Sequence, residues 1–520
     1  MAYKTFAAIH IGSYELSMKI YEISAKNGIK EIDHIRHRIE LGTDSYHTGK
    51  ISSERVEELC RMLNEFTEIM KSYKVEAYRA YGTSAIREIE NSLILLDRIK
   101  IKTGVKIEVL SNSEQRFLNY KSVASKGQVF PNVINKSTVF IDMGGGSIQI
   151  SLFEKDSLVT TQNIRPGILR MREELSNVSF RSYQLEDIVT EMMCDRLESF
   201  QEMFIGERKI RNIILIDDYV SFVLQKGYLE TNKKGHVDTK TFIEFVDGLK
   251  QKKAIDIATA LGISQENTAL LHISALMIKY MINEFGAEML WAPGVCLCDG
   301  MAYEYAEKNK LISSSDNHTA HNFEQDILAC ARDINRRYHC IERRTREREQ
   351  ISLTIFDHMK KIHGLSKRDR LLLQLASILS ECGRYISLVN VGESSYNIIM
   401  HTEIIGLSHL EREVVANIVK YSTEKFDYYN TLGKVTTLDK DSYLKIAKLT
   451  AIMRLAEGLD INHKGKCDKV KVSDKGDAIV LTVETNDDMT LELGLFAKNA
   501  AFFEEVFNIK PVMKHKKINL

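Results

Sequence analysis

This sequence has few prolines and no excess of positive or negative charge. Only four prolines occur in 520 residues, which excludes a long proline-rich linker. Lys+Arg and Asp+Glu both number 71, so the formal net charge is zero. The basic excess typical of a dedicated nucleic-acid binder is therefore missing, although a local basic patch stays open. No apolar run approaches the roughly 18 residues that a membrane span needs, so we expect neither a nucleic acid nor a membrane as partner.

Cysteine is also sparse, with eight residues in the whole chain. This density is far below that of a disulfide scaffold. The chain enters a strand-like run at Lys4, and we expect no export signal before it. Reduced thiols and a cytoplasmic location follow as expectations. Cys296 and Cys298 form a close pair, and without a second pair they are better interpreted as buried structural thiols than as a metal site.

Length and patterning divide the chain into parts. At roughly 100–200 residues per domain, two to four domains are expected. A strand, a turn at Gly12-Ser13 and a returning strand open the sequence, and the same hairpin pattern recurs around Gly144–Gly146. Two hairpin-led α/β segments, residues 1–130 and 131–310, therefore predict an internal duplication.

The second half of the sequence has a different character. From about Asn322 the strand signals disappear, so residues 322–465 are predicted as an all-α domain, preceded by a polar linker at Ser313–His321. Residues 466–520 return to alternation, with a strand expected at Thr490–Leu493 and a solvated basic end at Lys514–Lys517. The predicted fold class is α/β, with two duplicated lobes, then the all-α domain, then a small α/β tail.

The most informative stretch is Asp142-Met143-Gly144-Gly145-Gly146-Ser147. A strand delivers a carboxylate at its end, and three glycines then let the backbone turn with positive φ and approach a ligand closely. Their N–H groups can bind phosphate oxygens as an anion nest. Asp142 can hold a divalent cation whose shell is completed by phosphate oxygens. An ordinary glycine-rich hairpin is the alternative, but the flanking Asp and Ser favour a phosphate site.

The first hairpin offers a related turn. Gly12 and Ser13 can hold phosphate in the same way, while His10 occupies the place that Asp142 has in the second hairpin. A neutral imidazole is a poor ligand for Mg²⁺, which prefers oxygen. Taken alone, His10 is therefore better interpreted as a core histidine than as a ligand.

Two strand-to-helix junctions add polar groups. Thr83, Ser84 and Arg87 combine two hydroxyls with an arginine that can bind phosphate bidentately, and a capped surface helix is an equally good interpretation. Glu114 opens the helix that follows Ser111. Its carboxylate can orient a water for attack on phosphorus, but on its own the pattern is more typical of a structural cap.

Taken together, the order of these motifs resembles the Ppx/GppA family, the exopolyphosphatases and guanosine pentaphosphate phosphohydrolases. The resemblance implies ribonuclease H-like lobes, as in actin, sugar kinases and heat-shock ATPases, followed by a helical HD-related domain. It implies that polyphosphate or a guanosine phosphate such as pppGpp binds between the lobes of a homodimeric enzyme. Mg²⁺ would bind at Asp142, with K⁺ as activator, and Glu114 would position the attacking water. The implied phosphate-binding residues are Gly12, Ser13, Thr83, Ser84, Arg87, Gly144, Gly145, Gly146 and Ser147.

The chain departs from the family pattern in both lobes. His10 stands where the first hairpin normally has an aspartate. Gln115 stands where the family has the second of two adjacent acids, the one that serves as base. Residues 216–220 lack the family's glycine turn and carry Asp217 and Asp218 instead, which would repel a polyanion if they faced the cleft.

The helical domain departs as well. Ser380-Glu381-Cys382-Gly383-Arg384 stands where a His-Asp metal pair is expected, and Arg344 takes the upstream histidine position. We therefore expect a scaffold or lid rather than a metal centre. Two functions stay open: an active phosphohydrolase of the exopolyphosphatase type, and a catalytically impaired member that binds polyphosphate or guanosine phosphates as a sensor, regulatory or scaffold protein.

Overall fold

The computed structural model describes residues 3–127, 129–232, 235–250, 252–312, 321–429, 438–467 and 469–518. The chain forms two compact units, Met1–Asp326 and Ile327–Leu520. Nearly all of the predicted linker Ser313–His321 falls outside the described residues. The predicted boundaries near residues 130, 310 and 465 stay predictions.

Five strands form the first sheet, in the order β3-β2-β1-β4-β5. They are β1 Lys4–Ile11, β2 Glu15–Ser24, β3 Gly28–Arg38, β4 Ala77–Gly82 and β5 Ile107–Val109. β1 and β2 pair antiparallel, as the hairpin pattern predicts, while β4 runs parallel to β1 and β5 parallel to β4. Parallel strands end at the same edge of a sheet, so the segments after β1 and β4 lie side by side there.

The second sheet repeats this arrangement. Its order is β10-β11-β9-β6-β7-β8. The strands are β6 Thr138–Met143, β7 Ile148–Glu154, β8 Ser157–Ile164, β9 Asn212–Ile216, β10 His236–Asp238 and β11 Met289–Trp291. β6 and β7 form the second antiparallel hairpin and β9 runs parallel to β6, which confirms two hairpin-led lobes. We call the parts built on the first and second sheets the first and second lobe.

Helices cover both sheets. Those of the first unit that are described are Leu41–Thr48, Ser53–Ser72, Ser84–Arg87, Ser92–Thr103, Asn112–Ala124, Val129–Ile134, Ile168–Ser176, Leu185–Phe200, Asp218–Gln225, Thr239–Lys250, Ala254–Leu261, Gln265–Phe285 and Leu297–Lys308. The helix Ser53–Ser72 shows why: Leu63 and Phe66 fall on its buried face and pack into the same core as Ile9 and Ile11 of β1. Fully burying each such side chain stabilises the fold by about 1.5–3 kcal/mol.

The second unit is helical up to residue 467 in its described part. Its helices are Phe323–Arg337, which begins just before the unit boundary, Glu342–His358, Lys360–His363, Lys367–Leu379, Val391–His401, His409–Thr423 and Lys440–Glu457. The predicted all-α character is confirmed, whereas the HD relation of this region stays a prediction. Among the described helices, none combines the length and hydropathy that a membrane span requires.

The C-terminal tail differs from the sequence prediction in two places. Its strands are β12 Lys469–Asp474, β13 Ala478–Glu484 and β14 Lys510–Lys516, with a helix at Thr490–Phe507. The expected strand at Thr490–Leu493 is wrong, because four residues of alternation do not distinguish a strand from a first helical turn. The basic end is solvated as predicted, since Lys514, Lys516 and Lys517 are exposed, but most of it belongs to the unexpected strand β14, which pairs parallel with β13.

Candidate functional site

The turns of the two hairpins touch each other. A Cβ atom placed on Gly145 would lie 3.2 Å from Ser13 Cβ, and one placed on Gly146 would lie 3.1 Å from Ser84 Oγ and would overlap the Tyr46 hydroxyl. The structure therefore brings Ser13 and Ser84 of the first lobe against Gly145 and Gly146 of the second. A side chain on the second-lobe side of this contact would have to displace the Leu169 side chain or the Tyr46 phenol.

Three buried hydroxyls meet at this point, and we call them the hydroxyl cluster: Ser13, Tyr46 and Ser84. Ser13 Oγ lies 2.6 Å from Tyr46 Oη and 3.0 Å from Ser84 Oγ, and Tyr46 Oη lies 3.0 Å from Ser84 Oγ. Burial raises the pKa of Tyr46, so its phenol stays a neutral donor. Tyr46 was missed from the sequence, because nothing in its local pattern distinguishes it from an ordinary helical residue of Leu41–Thr48.

The glycine turn is shaped by close packing rather than by unusual dihedral angles. None of Gly144, Gly145 and Gly146 has a positive φ, so that part of the sequence prediction is wrong. Instead, Gly144 O and Gly145 O accept the N–H groups of Ile168 at 3.0 Å and Leu169 at 2.9 Å. The turn is thus held on the start of the helix Ile168–Ser176, and the glycines are needed for close approach.

Asp142 lies in a buried pocket of its own, two residues before the first glycine of the turn. Asn119 Nδ2 donates to Asp142 Oδ2 at 2.6 Å, and the nearby Gln115 side chain also helps to lower the pKa of this carboxylate. Burial raises the pKa of Asp142 to about 6, opposed first by Asn119 and then by the buried Arg116 guanidinium. We call these four residues, together with Gln149, the Asp142 pocket. At neutral pH its carboxylate is mostly ionised.

Several oxygen atoms of the Asp142 pocket have no hydrogen-bond donor within the described part of the chain. Gln149 stands directly opposite Asp142 on β7, and its Oε1, like Asn119 Oδ1 and Gln115 Oε1, is buried without a partner. Within the ranges that the structure describes, no three His, Cys, Asp or Glu residues are grouped to hold a metal. One carboxylate with amide oxygens fits a divalent cation that brings phosphate and water as its other ligands. It does not form a complete protein cage.

Glu114 has a local partner. Its Oε2 accepts from the Ser111 N–H at 3.0 Å and from Ser111 Oγ at 2.8 Å, while its own N–H donates to Ser111 Oγ at 3.2 Å. These contacts form a capping box at the start of Asn112–Ala124. The next residue, Gln115, is the one that reaches Asp142.

Thr83 and Arg87 each contact a residue outside the hydroxyl cluster. Thr83 Oγ1 is 3.1 Å from His10 Nε2, and Arg87 Nη1 donates to the Leu110 carbonyl at 2.8 Å. Burial lowers the pKa of His10 to about 4, so it is a neutral, hydrogen-bonded core residue, as the sequence suggested. Of the predicted phosphate contacts on this junction, Ser84 belongs to the hydroxyl cluster.

The acidic pair after β9 divides into two roles. Asp217 is buried and accepts from the Val220 N–H and from Ser274 Oγ, the latter at 2.8 Å, and so caps its own helix. Asp218 is exposed and lies 4.0 Å from Arg36 Nη2. Only Asp218 therefore adds negative charge that a ligand would meet.

Ion pairs connect the two lobes on both sides of the turns. Arg36, near Asp218, also donates from Nε to Glu15 Oε1 at 2.6 Å. On the other side, Glu88 of the first lobe pairs with Arg170 and, at 3.1 Å, with Arg165. The Arg170 guanidinium lies 4.0 Å from the centre of the Tyr46 ring. Arg36, Arg165 and Arg170 are thus already paired with carboxylates.

Comparison with known proteins gives two family matches. The model of the Ppx/GppA phosphatase family matches residues 19–309, and that of Ppx/GppA phosphatase domain III matches residues 328–499. A guanosine-5'-triphosphate,3'-diphosphate pyrophosphatase of Photobacterium profundum is 18% identical over 460 residues, which cover 86% of each chain. A bifunctional 3-dehydroquinate synthase/phosphatase of Fusobacterium nucleatum is 24% identical over 298 residues, which span 55% of this chain and 44% of that protein.

A solved structure supports the fold. The exopolyphosphatase from Cytophaga hutchinsonii superimposes with a TM-score of 0.52 at 17% identity, covering 60% of this chain and all of that one. At this identity the likeness concerns architecture, and the predicted actin-like lobes agree with it. Because the first family match alone extends over more than half of the chain, this protein belongs to the Ppx/GppA phosphatase family.

Proposed function

We propose that this protein is a phosphohydrolase that releases the terminal phosphate of polyphosphate or pppGpp by water attack between the two lobes. The observation that carries the proposal is the contact of the two turns, where the hydroxyls of Ser13 and Ser84 face Gly145 and Gly146. Hydroxyl donors beside a glycine backbone suit phosphate oxygens. The names of the relatives support phosphoanhydride substrates.

Binding requires a rearrangement of Tyr46. Its ring fills the space beside Gly146, and its hydroxyl bonds both Ser13 and Ser84. A phosphate entering here displaces the phenol, and the two serine hydroxyls then donate to the ligand. Because the phenol lies at the end of a flexible side chain, this movement is easier than any movement of the backbone.

Family members generally depend on a divalent metal, and we propose Mg²⁺, with K⁺ as activator. Asp142 is the carboxylate that would hold the cation, helped by the amide oxygens of Asn119 and Gln149. The cation would neutralise negative charge on the phosphoryl group. The pocket keeps the Asp142 carboxylate fixed through the amide donor of Asn119.

The residue that orients the attacking water is a choice between two carboxylates. Glu114 remains the prediction from the sequence, and for this role it has to leave the capping box with Ser111. Asp142, with its pKa raised to about 6 by burial, is ionised at neutral pH and needs no such movement. The Glu114→Gln variant separates the two assignments, because its release is lost only if Glu114 orients the water, whereas Asp142→Asn loses release in either case.

The test is phosphate release from long-chain polyphosphate and from pppGpp, with Mg²⁺ and K⁺. We expect Asp142→Asn and Ser13→Ala to lose most of the release. Asp217→Asn is the matched control, because Asp217 is also a buried aspartate that follows a neighbouring parallel strand, but it caps its own helix. Unchanged release in both Asp142→Asn and Ser13→Ala would overturn the site.

A second candidate function is binding without substantial turnover. The observation in its favour is that an amide, Gln115, rather than a carboxylate approaches Asp142 from the helix Asn112–Ala124. In the same assay this function predicts tight binding of polyphosphate or pppGpp without release. A His10→Asp, Gln115→Glu double variant that gains release would show that these two residues are the cause.

We further propose that the protein acts in the cytoplasm as a homodimer. All eight cysteines are free thiols, which suits a reducing compartment, and the dimer rests on the family resemblance. Sedimentation velocity of the purified chain tests the dimer, since a single species at the monomer mass of 59.5 kDa would exclude it.

A further inference from the structure

The second unit contains three arginines around one buried carboxylate. Arg344 Nη1, Arg348 Nη2 and Arg384 Nε lie 3.8 Å, 3.9 Å and 3.3 Å from Glu381 Oε1. The Glu381 side chain is only 2% exposed. With Glu457 counted as the partner of Arg348, three cations face two carboxylates, which leaves one excess positive charge at this point of the helical domain.

Arg348 is satisfied by other residues. Its Nε and Nη2 donate to Glu457 Oε2 at 2.8 Å and 2.5 Å, and Nη1 donates to Ser380 Oγ. Glu457 in turn lies 3.2 Å from His463 Nε2. This ion pair accounts for Arg348 as a structural residue and leaves Arg344 and Arg384 as the pair that shares Glu381.

The two remaining guanidinium groups have unused donors. Within the ranges that the structure describes, neither Arg344 nor Arg384 makes a side-chain hydrogen bond, and both oxygens of Glu381 are buried without a donor. Arg344 Nε is itself buried and unpartnered. The side chains of Arg344 and Arg384 are 26% and 39% exposed, so a ligand reaches both from solvent.

We propose that Arg344 and Arg384 bind a diphosphate group, held on an anion-binding site of the helical domain that is separate from the hydroxyl cluster. Each guanidinium offers five N–H donors in a planar fork that matches phosphate oxygens bidentately. Because both lie within 4 Å of the same Glu381 oxygen, one small polyanion spans them. Glu381 keeps the two arginines close together while the ligand is absent, and it competes with the ligand for them.

An aromatic surface lies next to this site. Tyr385 follows Arg384 directly, is 63% exposed, and stacks on His339 with ring centres 5.7 Å apart and an interplanar angle of 22°. An exposed ring face beside a phosphate site offers stacking to a nucleobase. Both an inorganic ligand and a nucleotide could supply the diphosphate group. Pyrophosphate and GDP are the two probes that distinguish these ligands.

The experiment is calorimetric titration of the full chain with pyrophosphate and with GDP, without added metal. Arg344→Gln and Arg384→Gln are each expected to weaken binding by about tenfold or more, since each removes charge-assisted hydrogen bonds. Glu381→Gln is expected to tighten binding, because it removes the competing carboxylate. Arg346→Gln is the matched control, since Arg346 is 71% exposed on the same helix and pairs with Glu342 at 3.1 Å.

The opposite signs of the variants make the test decisive. Weaker binding in Glu381→Gln as well as in both arginine variants would indicate a purely structural cluster and overturn the proposal, as would wild-type affinity in an Arg344→Gln, Arg384→Gln double variant. A Ser13→Ala, Asp142→Asn double variant removes phosphate binding by the first unit. Binding that depends on Arg344 and Arg384 has to persist in this variant. Equal affinities for pyrophosphate and GDP would show that the site recognises only the diphosphate. Tighter binding of GDP that is lost in Tyr385→Ala would show that the Tyr385 ring also contacts the nucleobase.

Discussion

A methyl group added at Gly167 tests how firmly the second-lobe turn is held. A Cβ there would lie within 3 Å of Gly144 O, Ser147 N and Gly145 C, all of them backbone atoms. The φ of −87° and ψ of −176° at Gly167 suit any residue, so the penalty of Gly167→Ala is steric rather than conformational. No side-chain rotation relieves it, and the turn itself has to shift.

The expected size of this effect follows from overpacking. Extra carbon atoms in a packed site cost about 1–3 kcal/mol, and Gly167→Ala falls at the upper end because only backbone can yield. At roughly 2 °C per kcal/mol for a unit of this size, the first unit melts about 6 °C lower. A displacement of about 1 Å between Ser13 and Gly145 lowers phosphate release on the order of 100-fold.

Calorimetry and phosphate release measure the two effects together, with Gly248→Ala as control. Gly248 lies inside the helix Thr239–Lys250, and an added Cβ there meets nothing within 4 Å. The control should therefore stabilise the unit by about 0.5–1 kcal/mol. If Gly167→Ala matched Gly248→Ala in melting temperature and in phosphate release, the turn would not be fixed by the backbone contact at Gly167.

Three further results are expected. Gln115→Glu places a carboxylate beside Asp142 and should raise phosphate release by roughly 10²–10⁴-fold if a missing base limits the rate; no gain in the release assay would exclude that limitation. Glu88→Gln frees Arg165 and Arg170, so polyphosphate binding should tighten and depend more steeply on salt, and a titration with an unchanged salt slope would contradict this. Burial raises the pKa of Asp142 from 3.8 to about 6, so its contribution to stability is present below about pH 4 and lost as pH rises through about 6. Between about pH 4 and pH 6 the free energy of unfolding should therefore decline less for Asp142→Asn than for the wild type. If the two proteins gave parallel curves of unfolding free energy against pH, Asp142 would not be buried as described.

The architecture of the first unit was largely predictable because its signals are local. A strand, a glycine turn and a returning strand identify each hairpin, and the apolar spacing of Ser53–Ser72 identifies its buried face. The error at Thr490–Leu493 arose where the signal was shortest. Four alternating residues fit a strand, but they begin a helix whose Phe496 and Phe503 are buried, and that pattern extends beyond the predicted segment.

Only those residues of the candidate site that directly follow the ends of strands could be predicted from the sequence. Ser13 and Ser84 follow the parallel strands β1 and β4, so their proximity can be expected from topology alone. Tyr46 could not be found this way, because its role depends on packing between elements distant in sequence. Gln149 faces Asp142 across a single hairpin, so its place follows only once the register of that hairpin is known. Glu114 is ambiguous for another reason. The same local pattern, a serine followed three residues later by a glutamate, fits both a helix cap and a carboxylate that orients water.

The charge balance of the lobes determines what a polyanion would meet. Two arginines near the turns already have carboxylate partners: Arg36 has Glu15 and Asp218, and Arg170 has Glu88. A phosphate chain entering here exchanges one anion for another, so its net electrostatic gain is the difference between two ion pairs. Affinity therefore has to come mainly from the fixed hydroxyl geometry and from bidentate phosphate contacts that a carboxylate satisfies less fully. The same exchange releases the ion pairs between the lobes, which couples ligand binding to their separation.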